Sequence, residues 1–429
     1  MIKIEDIEQQ FIEVIVEYYD DAEKNKLLRY PTADSIDSIV KNGLKIPVPE
    51  FLTYWLFHRK RPGKKNWSNY QEISQHINMV LNYLQDFTEF NGKSISKPPD
   101  VGSQINTITE YIGESIGLSL INKIHNITNA DWDKIPQSYG RSAFPTFDYQ
   151  IASDGKNFIQ IETKGSSVDD NQSITASIQN HKTNIAEKKS EISMRETDNN
   201  YSYPASIRYG TIAAVDSRKD STLKCWILDP DSQDRREEPR HFRLISRMHF
   251  LRDWISFLGP RSQLATALSN RVKDLETIKN PFELDGKPLL KSNNEPFDIR
   301  PFEYGHRHTS WFANKSRVTD GPAGGIILQL SKDNLFFLGI YEELLFLAAN
   351  QDFEKILDYK HKYPGSVFKT VECIITKDRF HEFDLPDTHL NPEDNKSGRR
   401  YFDLTGQLHY APEGIVFGLL PRYKEENRD

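Results

Sequence analysis

The stretch FDYQIASDGKNFIQIETKG, residues 147–165, decides the fold. Its two runs FDYQIA and FIQIETK are rich in Phe, Tyr and Ile and are separated by SDGKN, a set of turn formers, so the pair reads as a β-hairpin. Side chains alternate between the faces of a strand, which groups Gln160, Glu162 and Lys164 against Ile159, Ile161 and Thr163, and places Asp148 with Gln150 on the first strand. The apolar face is expected to pack and the polar face to look into a cleft. With the turn centred on Gly155, residues whose numbers sum to 310 lie opposite one another, which pairs Asp148 with Glu162. Directly opposed residues have Cβ atoms about 5 Å apart, where two carboxylates repel unless something neutralises them. A divalent cation does so. Asp148, Glu162 and the carbonyl of Thr163 form an oxygen set suited to Mg²⁺, with Mn²⁺ as a substitute. Lys164, one pleat further on the same face, is placed to orient the attacking water and to offset charge building on a phosphorus.

Working outward, apolar positions Ile105, Ile108, Ile112, Ile116, Leu120 and Ile124 recur every three or four residues and predict one long helix from Ser103 to about Asn126. A polar helix is expected over residues 172–192, followed by strands in TIAAVD and LKCWILD. The order is helix, strand, strand, helix, strand, strand. Residues 1–95 read as a helical module, since both IEDIEQQFIEVIVEYY and EISQHINMVLNYLQDF carry apolar residues at helical spacing. The Pro- and Gly-bearing stretch NGKSISKPPDVG, residues 91–102, suggests a boundary, giving a core over 96–280, helical at its end, and an α+β module over 281–429. That last module is expected to have strands in GIILQL, LFFLGIY and TVECIIT around the helix of EELLFLAANQDFEKILDY.

The segment Phe147-Asp148, thirteen residues, then Ile161-Glu162-Thr163-Lys164-Gly165, in that order of elements, resembles the PD-(D/E)xK, or restriction-endonuclease-like, nuclease superfamily over roughly residues 103–230. The resemblance implies an α/β core of that type and a Mg²⁺-dependent nuclease, most often cutting DNA, with restriction or phage defence as its setting. It implies a further catalytic Glu on the first helix, a place filled by Glu114, and a second helix lining the nucleic-acid cleft, where Gln179, His181 and Lys182 are the candidates. Pro145 stands three residues before Asp148, where the motif has its proline adjacent. RNA or repair substrates stay open, as does a non-catalytic nucleic-acid-binding protein on the same scaffold. A second copy of the chain or an accessory defence protein is an open partner.

The bare tripeptide has little weight, because Asp154-Gly-Lys156 and Asp285-Gly-Lys287 share its spacing without the strand context. The segment HRKRPGKKNW contributes Arg59, Lys60, Arg61, Lys64 and Lys65 as a basic loop, read equally as phosphate-contacting or as solvated surface. His306 and His308 lack a third ligand and are read as a hydrogen-bonding loop. Cys225 and Cys373 stand far apart without a zinc pattern, which argues against structural disulfides and zinc. The 24 Phe and 19 Tyr argue for a packed core, and a net charge of -7 requires any nucleic-acid surface to be local. The charged N-terminus MIKIEDIEQQ and the lack of a long apolar run predict a cytoplasmic protein with no membrane partner.

Overall fold

A computed structural model describes residues 10–58, 70–90, 92–96, 106–134, 150–197, 207–216, 218, 221–228, 238–259, 262–297, 311–313, 323–331, 334–376 and 399–421. The fold is mixed α/β, and it divides into two compact units, one mainly of residues 7–58 and 80–246, the other mainly of 59–79 and 247–429.

The first unit contains β1 (Phe11–Tyr18), α1 (Asp21–Leu27), α2 (Ala33–Asn42), β2 (Leu44–Pro47) and α3 (Val48–Phe57), and α4 (Tyr70–Phe87) ends in it. It continues with β3 (Glu89–Phe90), β4 (Ile95–Ser96), α5 (Asn106–His125), β5 (Trp132–Lys134), β6 (Gln150–Ser153) and β7 (Phe158–Val168). Then follow α6 (Ala176–Thr197), β8 (Ile207–Asp216), β9 (Leu223–Leu228) and the start of α7 (Pro239–Leu258). Seven strands form one sheet in the order β2-β1-β9-β8-β7-β6-β5. Pairs β7·β8 and β1·β9 are parallel, while β6·β7 and β8·β9 are antiparallel. The expected succession of helix, hairpin, helix and two strands is present from α5 to β9.

Two expectations are corrected here. Residues 11–18 are a strand, not part of a helix, and with β2 they extend the central sheet, so the first 95 residues are not a separate helical module. The reason lies in FIEVIVEY: Ile12, Val14 and Val16 are buried at every second position, and β-branched side chains suit a pleated surface better than a helix. The hairpin register is also different. Ile151 faces Gln160, Ala152 faces Ile159 and Ser153 faces Phe158, so opposed numbers sum to 311 rather than 310. Asp154 sets this. Its Oδ1 accepts from the backbone N–H groups of Lys156 and Asn157, and its own N–H donates to the Asn157 carbonyl. The turn therefore runs over the four residues Asp154–Asn157 and is centred between Gly155 and Lys156, with Gly155 taking φ +90°. The derivation that set Asp148 opposite Glu162 fails with that register, and Asp148 itself lies outside the described residues.

The second unit holds the rest of α7, α8 (Gln263–Thr277), β10 (Trp311–Ala313), β11 (Ala323–Gln329), β12 (Asn334–Tyr341), α9 (Glu342–Asn350) and α10 (Phe353–Asp358). It ends with β13 (Gly365–Thr376), β14 (Arg399–Tyr410) and β15 (Ile415–Pro421). The six strands close into a barrel, in the order β10-β11-β12-β15-β14-β13, with β13 pairing back onto β10. The three strands expected here are present, and the expected helix is split at Gln351, whose φ of +58° ends α9. Strands β14 and β15, which complete the barrel, were not anticipated. No described helix is long and apolar enough to cross a membrane.

Candidate active site

Strand β7 lies in the interior of the sheet with a helix on each face. On the Thr163 face, α5 approaches to backbone contact. A Cβ on Gly113 would stand 2.7 Å from the Gly165 nitrogen, one on Gly165 1.7 Å from the Thr109 carbonyl oxygen, and one on Gly117 2.4 Å from Thr211 Oγ1. Only glycine allows this approach, and it pins β7 at the residues next to Glu162 and Lys164. Helix α5 is buried nearly all round, with α3 packed on it through Trp55 against Tyr111, and Asn122 donating to Glu50 and to the Tyr54 hydroxyl.

On the other face lies α6. Ile178, Ile185 and Ile192 are buried, the first two packed with Val168, Ile212, Ala214, Trp226 and Leu228. His181 and Lys188 occupy the alternate places of the same stripe, at steps of three and four residues, so both point at the sheet. The polar face of β7 is thus covered rather than open, with Gln160 0% and Glu162 1% exposed. This corrects the expectation of an exposed cleft face, and the cause is the isoleucine stripe of α6, which needs the sheet to bury itself.

Glu162 is the centre of the arrangement. Lys164 donates to its Oε1 at 2.5 Å and Lys188 to its Oε2 at 2.6 Å, so each carboxylate oxygen carries an ammonium group. Arg208 of β8, also buried, aligns with Gln160 in the parallel ladder and so projects from this face. Lys164 and Lys188 thus face Glu162 directly, with Arg208 on the same face of the sheet. His181 is held below its ordinary pKa by burial and then by the nearby Lys164 charge, against a hydrogen bond to the Gly165 carbonyl that raises it. It is neutral near pH 7.

The remaining expected residues divide plainly. Thr163 is buried against Gly117, on the face opposite to Glu162. The Glu114 carboxylate lies 3.8 Å from His58 Nε2, on α5. The Lys182 ammonium is 2.6 Å from Asp20 and 4.3 Å from the centroid of the Tyr19 ring. Against a burial cost that would raise it, Asp20 is held below the usual carboxylate range by Lys182 and by the Glu23 N–H. Gln179 is exposed, consistent with a contact to an external partner. Arg59, Lys60, Arg61, Lys64, Lys65, His306 and His308 lie outside the described residues. Cys225 is buried, and burial pushes its thiol up to about 12, which leaves it unreactive.

Lys188 was missed in the sequence, although a signal existed: His181 and Lys188 interrupt an isoleucine stripe at positions that must face inward. The Gly113-x-x-x-Gly117 spacing was a second unused signal, marking where the helix meets the strand. Among the described residues no group of three or more His, Cys, Asp or Glu side chains could hold a metal ion. The chemistry of the donors fits a hard cation in part: Glu162 is a buried carboxylate whose two oxygens require positive charge, which Lys164 and Lys188 supply here and which a cation would supply on displacing one of them. No protein-family model matches the chain, and neither the curated proteins nor the solved structures contain a match.

Proposed function

We propose that this protein is a Mg²⁺-dependent nuclease that hydrolyses phosphodiester bonds in DNA, with Glu162, Lys164 and Lys188 at its centre. The observation that carries the reading is the buried Glu162 carboxylate, held between two ammonium groups on an inner strand that follows a hairpin and a long helix. Glu162 and the Thr163 carbonyl are the described groups that would hold the metal, with Asp148 joining them only on the resemblance of the motif, and the metal, when bound, would supply a polarised phosphate oxygen and a more acidic water. Lys164 offsets charge that builds on the phosphate in the transition state. Lys188 gives the phosphate a second point charge on the same face, and Arg208 beneath them keeps the local potential positive. Glu114, paired with His58, acts from the neighbouring helix by holding α5 in place. A restriction or phage-defence setting follows from the resemblance of the motif.

The test is cleavage of plasmid, single-stranded DNA and RNA across a Mg²⁺ titration, with Lys164→Ala beside the wild type. Metal-dependent cutting of DNA that the variant loses supports the reading. Undiminished cutting by the variant removes Lys164 from the chemistry. A second reading, a nucleic-acid-binding scaffold without catalysis, is favoured by one feature: both oxygens of Glu162 are already satisfied within the protein, as in a purely structural ion triad. Binding without cleavage at any metal concentration would establish it.

A further inference from the structure

The residues leading into β13 carry large exposed rings beside lysines. Tyr363 is 58% and Phe368 67% exposed, with Val367 exposed between them. The segment DYKHKYPGSVFK, residues 358–369, has three lysines, Lys360, Lys362 and Lys369, and one acid, Asp358, in a chain of net charge -7. Lys362 Nζ lies 5.4 Å from the Tyr363 ring centroid, and Lys369 Nζ lies 5.3 Å from that of Tyr410. The support beneath is rigid. Tyr359 and His361 are buried while Lys360 and Lys362 between and after them are exposed, and the His361 ring stacks on Tyr410 at 5.5 Å with Tyr341 4.7 Å away. Phe368 is fixed by the β13·β14 ladder, in which it faces Gln407.

Exposed rings on a firm base, with the Lys362 ammonium at one of them and Lys360 exposed nearby in the chain, match a ligand that offers flat π surfaces and negative charge together. A flexible phosphate strand with unpaired bases does so, because bases stack on aromatic side chains while phosphates meet lysines. A duplex hides its base faces and leaves the rings unused. We propose that this strip of the barrel unit binds single-stranded nucleic acid, with Tyr363 and Phe368 as stacking platforms and Lys360 and Lys362 as phosphate contacts. The proposal goes beyond the nuclease reading and stands without it.

The experiment uses the full chain in EDTA, so that nothing is cut, and measures anisotropy of a labelled oligothymidylate of about 16 nucleotides, a matched RNA strand and a duplex of equal length. Tyr363→Ala/Phe368→Ala should bind the single strands about tenfold or more weakly while its duplex binding changes little. Lys360→Ala/Lys362→Ala should flatten the salt dependence. Both pairs lie on the surface, so melting temperatures should stay at the wild-type value; if the aromatic pair lowers it, Phe368→Ala alone serves. No binding of single strands by the wild type overturns the proposal, as does equal binding by both variants. A variant that changes only sedimentation makes the strip a surface between copies and overturns it too. Cleavage by the wild type in Mg²⁺ is a separate readout: its absence would remove the nuclease reading and leave the binding by this strip untouched.

Discussion

One hairpin carries two carboxylates, the half-buried Asp154 and the buried Glu162, that are held in opposite ways. At its turn, Asp154 is bound by backbone: the N–H groups of Lys156 and Asn157 donate to it, and His125, itself buried and bonded to the Tyr209 hydroxyl, contacts its other oxygen at 2.8 Å. Further along β7, Glu162 is bound by two lysine tips on flexible stems. Backbone donors cannot leave without unfolding the turn, so the charge on Asp154 is committed to structure. Ammonium groups can swing away at the cost of a side-chain rotation, so the charge on Glu162 can be shared with a ligand. Burial alone does not distinguish a structural from a functional carboxylate. The stiffness of its partners does.

The largest expected effect tests the functional side. Lys164→Ala should lower turnover by about 10²- to 10³-fold, a loss larger than its cost in stability, because it removes a charge that acts in the transition state as well as a partner of the buried Glu162. Equal losses of stability and activity would show that the Glu162 cluster is a structural ion triad like the turn. Next in size is Gly165→Ala, which would drive a methyl group into the Thr109 carbonyl and should cost about 3 kcal/mol or more. Urea unfolding checks it, and a neutral result would mean that α5 does not fix β7 at the site.

Asp154→Asn tests the structural side. In the folded protein Asp154 is held at about 2, against an ordinary 3.8: burial opposes this, and the bonds to His125, Lys156 and Asn157 overcome it. Since the folded value is the lower one, the stabilisation is present above pH 3.8 and is lost as pH falls toward 2. The difference corresponds to about 2 kcal/mol near neutral pH. The variant should lose that amount in urea unfolding at pH 6, and the gap between variant and wild type should close as the solution is acidified from about pH 4 toward pH 2. Cleavage should change little at neutral pH. A gap independent of pH would mean that the turn does not depend on the charge of Asp154.

The same contrast explains what the sequence revealed. Patterns with a local cause were legible: the isoleucine spacing of α5, the hairpin around SDGKN, the strands β8 and β9, and the E-T-K alternation that places Glu162 and Lys164 on one face. The errors arose where distant partners decide. Phe11–Tyr18 has apolar residues that satisfy a helical stripe and a strand alternation alike, and only the neighbouring β9 settles the choice. The one-residue shift of the hairpin came from a side-chain bond of Asp154 that a count centred on Gly155 ignores. Lys188 was hidden because lysine on a polar helix reads as solvated surface until the helix is laid on the sheet. The partner of Lys182 was hidden for a similar reason, since Asp20 lies 162 residues away in sequence.

The smallest effect expected is the most direct measure of exchangeability, and it rests on Lys188. Its ammonium takes the Glu162 oxygen Oε2 that a metal ion would also require, so the lysine and a cation compete for one lone pair. Lys188→Gln removes the competing charge and keeps a side chain of similar length on the same stripe of α6. Its affinity for Mn²⁺, measured by calorimetry without nucleic acid, should rise by about three- to tenfold, since an ammonium with a quarter of its surface in water is held only moderately. The lysine's release should also appear in the wild type, where adding Mn²⁺ should increase the reactivity of Lys188 toward acetylating reagents. An unchanged affinity in Lys188→Gln would mean that the lysine and the metal do not share Oε2, and Glu162 would then resemble Asp154 after all. A wild type that takes up no Mn²⁺ would instead remove the metal from the nuclease reading and leave the ion triad as a structural clasp between β7 and α6.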